Sequence, residues 1–181
     1  MKTLKQHIAE SKALHQNVNI QENLKFKINR NTKVYEYQPK SWDELRQIIV
    51  DRYEEQGPGT KYNPIDFNDI DVSGIDTFFN DPSDAGLFEG IPFEYIDISD
   101  WNVSNVKYMS NMFFKCQILE LVGDLSKWDV SSVENMAGMF YACKSLKSVG
   151  NISKWNIINV KDMGDMFTDS GITNIPNWYK K

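Results

Sequence analysis

Trp101, Trp128 and Trp155 stand 27 residues apart, and each sits in the same string. The copies read ISDWNVSNVKYMSNMFFKC (98–116), LSKWDVSSVENMAGMFYAC (125–143) and ISKWNIINVKDMGDMFTDS (152–170). A fixed period of this length leaves few folds open, because each copy is one structural unit that must lie against the next. The first copy shows why. Its repeated apolar side chains are Ile98, Trp101, Val103, Val106, Met109, Met112 and Phe113, with Leu119 and Leu121 following. Burying each is worth roughly 1.5–3 kcal/mol, whereas ordering the backbone costs roughly 1–2 kcal/mol per residue. A lone copy of 27 residues is therefore at break-even or below, and its open face must be covered by its neighbours.

Val106, Met109, Met112 and Phe113 fall at i, i+3, i+6 and i+7, which predicts one face of a short helix. Ser131 followed by Glu134 predicts a capping box for it in the second copy. Ser104 is the expected N-cap in the first copy and Asn159 in the third. Apolar residues near Leu119/Leu121, Leu146/Val149 and Ile172/Ile175 predict one short strand per copy, and Gly123 and Gly150 a turn into the next Ser-x-Trp. Met109, Met112, Met136, Met139, Met163 and Met166 run in register with Phe113, Phe140 and Phe167. That spacing assigns them to the core rather than to an adaptable binding surface, and the tryptophan column follows them. The expected fold class is α+β: an N-terminal helix and hairpin cap followed by a short solenoid with one helix and one short strand per 27-residue repeat.

Residues 1–65 lie outside the repeat and read as a capping region of helix, β-hairpin and helix. Leu4, Ile8 and Leu14 mark a helix over 2–16. Leu24, Phe26 and Ile28 alternate with polar residues, Asn29–Thr32 turn, and Val34–Tyr37 return. Ser41 and Glu44 open a second helix with Leu45, Ile48, Ile49 and Tyr53 on its apolar face, ending at Gly57-Pro58-Gly59. Residues 66–97 hold a degenerate first copy, IDVSGIDTFF, with Ile70 in place of Trp and Phe78 in place of the first Met, followed by a non-matching acidic insert. Residues 98–181 hold three copies and a shortened C-terminal cap, since Trp178 arrives only 23 residues after Trp155.

The string W-[DN]-V-S-[NS]-V-x-x-M-x-x-M-F-x-x-C resembles the BspA-type leucine-rich repeat, found in bacterial surface proteins, mycoplasma lipoproteins and some phage proteins. The resemblance covers residues 98–175. It implies a right-handed leucine-rich-repeat-like solenoid and a recognition role, and it brings no catalytic residue.

Chemistry is sparsely represented. His7 and His15 lie about two helical turns apart, too far to share a metal, and no phosphate-cradling glycine loop appears. Cys116 and Cys143 occupy one column; the reading favoured is a pair of buried reduced thiols, not a bridge or a zinc site. Asp69-x-Asp71-x-Ser73-Gly74 mimics the start of a calcium loop, but Asp76 and Asn80 stand at its eighth and twelfth positions, where an apolar residue and a bidentate Glu belong. The expectation is a chain without cofactor or metal that is not an enzyme.

Charge is the more informative property. Residues 1–65 carry net +3 and residues 66–181 net −8. No Lys or Arg occurs between Lys61 and Lys107, a window that holds Asp66, Asp69, Asp71, Asp76, Asp81, Asp84, Glu89, Glu94, Asp97 and Asp100. Two readings stand: a solvated face with repeat-mandated aspartates, or an acidic patch that meets a basic partner. Either disfavours direct nucleic-acid binding by the repeats, because phosphate affinity comes from Lys and Arg. No apolar run approaches a membrane span, and MKTLKQHIAESK has no signal-peptide core, so a cytoplasmic location is expected. The function expected is a protein–protein interaction module, in its sharper form a phage- or mobile-element-encoded inhibitor of a basic, nucleic-acid-handling host protein. The alternative is a structural or surface-adhesion repeat protein of bacterial origin.

Overall fold

The computed structural model describes residues 35–80 and 85–180, which belong to one compact unit, Tyr35–Lys181. The helix expected over 2–16, the hairpin over 24–37 as far as Val34, His7, His15, Asp81 and Asp84 lie outside the described residues. Among those described there is one α-helix, α1 (Trp42–Gln56), and four two-residue strands: β1 (Ile65–Asp66), β2 (Phe79–Asn80), β3 (Ala85–Gly86) and β4 (Ile96–Asp97). β1 pairs in parallel with β4, and β2 pairs antiparallel with β3. Two single 3-10 turns, Leu125–Lys127 and Ile152–Lys154, complete the regular structure.

The helix expected at Ser41 forms with one arm of the capping box: the Ser41 hydroxyl accepts the Glu44 N–H at 3.2 Å, while the Glu44 carboxylate accepts the N–H of Lys40, one residue before the cap, at 2.7 Å. Gly57, at φ 74°, ends it. Leu45 and Ile49 are fully buried, so α1 lies with its apolar face on the core.

The fold class expected for the copies is corrected. No helix forms at the Met-x-x-Met-Phe runs, and the strands near Leu121 and Ser148 reduce to isolated parallel bridges, Tyr95 to Leu121 and Leu121 to Ser148, with none at Ile172 or Ile175. The helix-and-strand, leucine-rich-repeat-like solenoid is therefore not what these residues build. The backbone shows the reason. The N–H groups of Met109, Asn111, Phe113 and Lys115 donate not four residues back but to Asn135, Ala137, Met139 and Tyr141 of the next copy, at 2.8–3.0 Å. The N–H groups of Met112, Phe114 and Cys116 close turns onto Met109, Asn111 and Phe113, three residues back. Three-residue turns return a side chain to the same face at i and i+3, so the run carries a helical spacing without a helix. Asn111, Lys115, Ala142, Asp165 and Asp169 have φ between 54° and 57°, which no α-helix accommodates.

The expected N-caps are corrected with the helix. Ser131 is a donor: its N–H meets Asp129 Oδ1 at 3.0 Å, and Ser104 bonds Asn102 Oδ1 in the same way. Asn102, Asp129 and Asn156, the residues after Trp101, Trp128 and Trp155, thus form Asx turns. A second set, at Asp66, Asp97, Asp124 and Asn151, accepts from the residue two positions on.

The buried columns run from copy to copy. Phe88, Phe113, Phe140 and Phe167 stack at 5.0, 5.4 and 5.7 Å between centroids. Trp128, Trp155 and Trp178 stack at 6.5 and 6.2 Å. Each indole N–H donates to a carbonyl one copy back: Trp101 to Phe67, Trp128 to Ile98, Trp155 to Leu125 and Trp178 to Ile152. Burial of the ring and satisfaction of its one donor are thereby met together. The thiols of Cys116 and Cys143 are free and buried, and donate to the carbonyls of Phe88 and Phe113. Burial drives both thiols up, that of Cys143 to about 12.

Candidate functional site

The degenerate copy at 66–97, which has Ile70 and Phe78 where the others have Trp and Met, departs from their spacing in one place. Phe78 aligns with Met109, its N–H donating to the Tyr108 carbonyl. Phe88 aligns with Phe113, its N–H donating to the Met112 carbonyl. Phe78 and Phe88 are ten positions apart where Met109 and Phe113 are four apart, so the true insertion is the short β2–β3 hairpin. Leu87 and Phe88, read from the sequence as part of a non-matching insert, return to the core columns and are buried.

α1 is held against this copy by two arginines. The Arg46 guanidinium donates to the carbonyls of Leu87 and Glu89. Arg52, 5% exposed, donates to the Asp66 carbonyl and pairs bidentately with Asp69 at 2.7 and 2.9 Å. Its guanidinium lies 5.3 Å from the Tyr37 ring centre and 5.1 Å from that of Phe67. Burial, with Glu36 close by, drives the Tyr37 hydroxyl up to about 12.

The ten acids of the lysine-free window therefore do not act as one group. Asp69 is the partner of Arg52. Asp66, Asp71 and Asp97 accept backbone N–H groups from Asn68, Ser73 and Ser99 in Asx turns. Glu89 accepts the Gly86 N–H at 3.2 Å. Asp66, Asp76 and Asp100 are exposed, Glu94 is half-buried, and Asp81 and Asp84 lie outside the described residues. The residues of the calcium-loop mimic are engaged elsewhere, Asp69 on Arg52 and Asp71 on Ser73. No cluster of three or more His, Cys, Asp or Glu suited to a metal occurs among the described residues.

Where α1 begins and the hairpin leaves the column, a groove of about 520 Å³ opens. Trp42 comes from the first turn of α1, Phe79 and Asn80 from β2, Asp76 and Thr77 from the degenerate copy, Tyr108 and Ser110 from the copy at 98–116, and Asn135 from the copy at 125–143. Asp76 is the one charged residue of this lining among the described residues. A larger cavity of about 600 Å³ beside Ser148 and Pro176 is lined, among the described residues, without charge or aromatic ring. The groove's residues escape sequence reading because they are drawn from four separate stretches. The one local signal is the column Thr77, Tyr108, Asn135 and Asp162, which bridges in parallel from copy to copy but keeps no side-chain type.

Beside this column Lys161 meets Glu134 at 2.6 Å, and beside the bridges of Tyr95, Leu121 and Ser148 Lys147 pairs with Glu120, each pair 27 residues apart. These hydrogen bonds hold the Glu134 and Glu120 carboxyls below the usual carboxylate range.

Residues 83–179 match the family described as "Mycoplasma protein of unknown function, DUF285", and the chain belongs to that family. No curated protein and no solved structure matches it. No helix among the described residues is long and apolar enough to cross a membrane.

Proposed function

For this member of a mycoplasma-associated family, we propose a non-catalytic role: the chain is a protein-interaction module that binds a basic surface through its first copy. The observation that carries the reading is a coincidence of place. The copy that departs from the repeat lies in the stretch without Lys or Arg, 62 to 106, where Asp66, Asp76 and Asp100 are exposed and Asp76 lines an aromatic groove. Complementary charge raises association rate and selects partners. The likeness of the copies to the BspA-type leucine-rich repeat supports recognition over catalysis. In its sharper form the partner is a nucleic-acid-handling protein whose basic channel the acidic face blocks, in a cytoplasmic setting.

Affinity capture from bacterial lysate at low and high salt tests this, comparing the native chain with a triple variant, Asp76→Lys, Glu94→Lys and Asp100→Lys. These changes leave the Asx acceptors at Asp66, Asp71 and Asp97 and the Arg52 partner in place. Basic proteins retained at low salt, and lost at high salt and on charge reversal, are the expected result. Retention that ignores both salt and the variant would sink the proposal.

A further inference from the structure

We propose that the groove receives an extended segment of the partner that carries a lysine or arginine, added as a strand ahead of Asp76 and Thr77. This rests on the interaction-module reading above and gives it a site. The copies are tied by one repeated device: the N–H groups of Lys107 and Tyr108 donate to the Asp76 carbonyl, those of Glu134 and Asn135 to Lys107, and those of Lys161 and Asp162 to Glu134. At the start of this series the same two donors, the N–H groups of Asp76 and Thr77, meet no acceptor among the described residues. One further donor of the groove shares that condition: Trp42 Nε1 is buried with no hydrogen-bond partner among the described residues. Ser110 lines the groove at 7% exposure. A buried donor without an acceptor costs roughly 1–3 kcal/mol, so Trp42 Nε1 calls for a ligand that brings an acceptor.

A peptide backbone brings acceptors as its carbonyls, and an open strand edge is where extended peptides add. The side-chain chemistry selects further. Asp76 is the one charged lining residue among those described, and Trp42, Phe79 and Tyr108 line the same groove with rings. Aromatic faces next to a carboxylate favour a cation and disfavour an anion.

The test uses the full chain and fluorescence anisotropy at low salt with a labelled five-residue peptide alternating valine and arginine. A twin with glutamate for arginine and the neutral trisaccharide maltotriose serve as the other arms. The arginine peptide is expected to bind at least about tenfold more tightly than its glutamate twin, and Asp76→Asn to remove most of that difference. Trp42→Phe, which keeps an aromatic face, smaller than the indole, and deletes the N–H, is expected to weaken binding about fivefold or more. Far-UV circular dichroism of both variants confirms that the helix is intact. Equal binding of the two peptides, native-like binding by both variants, or competition by maltotriose overturns the proposal. If Asp76→Asn and Trp42→Phe bind the arginine peptide normally while Glu94→Lys and Asp100→Lys abolish binding, the groove is refuted and the acidic-face reading survives. If no arm binds and basic proteins are not captured either, both fail.

Discussion

The indole of Trp128 does two things at once: its ring stacks on Trp155, and its N–H donates to Ile98 one copy back. Trp128→Ala removes both and opens a cavity, so a loss of about 3–5 kcal/mol is expected in urea unfolding; a loss below about 1 kcal/mol would contradict the buried assignment. Glycines show the same double demand. Gly150 has φ 79°, and a Cβ there would stand 1.8 Å from Asp124 Oδ1, the acceptor of the preceding Asx turn. Gly164 has no such φ, and its nearest neighbour would stand at 3.3 Å. Gly150→Ala is therefore expected to cost more than the roughly 1–2 kcal/mol of left-handed strain alone, and Gly164→Ala clearly less, measured as the difference between the two unfolding midpoints.

α1 is tied to the first copy by side chains that cross long sequence distances, and Arg52 is the most enclosed of them. Arg52→Met fills the same space but leaves the Asp69 carboxylate and the Asp66 carbonyl without their donor. A loss of about 3 kcal/mol is expected by chemical denaturation, because one half of an enclosed ion pair remains. The β2–β3 hairpin has the opposite character. Deleting residues 79–84 leaves Phe78 four positions ahead of Phe88, the spacing of Met109 and Phe113. Thermal melts are expected to show a change no larger than about 1 kcal/mol in stability, the size of ordinary surface edits, while binding of the arginine peptide falls. A collapse of the fold would show that the hairpin is structural.

Across the chain, carboxylates hold turns and bridge copies. The Ser126 N–H holds the Asp124 carboxyl low, Ser131 that of Asp129, Lys147 and Tyr95 that of Glu120, and Lys161 that of Glu134. Depressed folded values mean that the unfolded chain binds more protons near pH 4. The stabilisation is complete above the ordinary carboxylate range and is lost as pH falls through the lower folded values. The unfolding temperature is expected to be flat from about pH 6 to 8 and to fall below about pH 4; a rise on acidification would refute these contacts.

The period, the identity of the buried columns and the Ser41 cap are legible in the string, because each depends on side chains at fixed local spacing. Trp101, Met109 and Phe113 announce burial wherever their backbone bonds go. Those bonds are another matter. Whether Met109 N–H reaches four residues back or across to Asn135 depends on a neighbour 26 positions away, and a turn of three residues imitates the helical spacing that would have decided it. Charge behaves alike. The window from 62 to 106 contains no cation, yet Arg46 and Arg52 reach into it from α1, so its acids divide into a half-buried partner of Arg52, turn acceptors and an exposed remainder. Side-chain pattern is local and survives as a string; hydrogen-bond partnership and charge pairing are set across copies, and only the folded packing chooses between the alternatives.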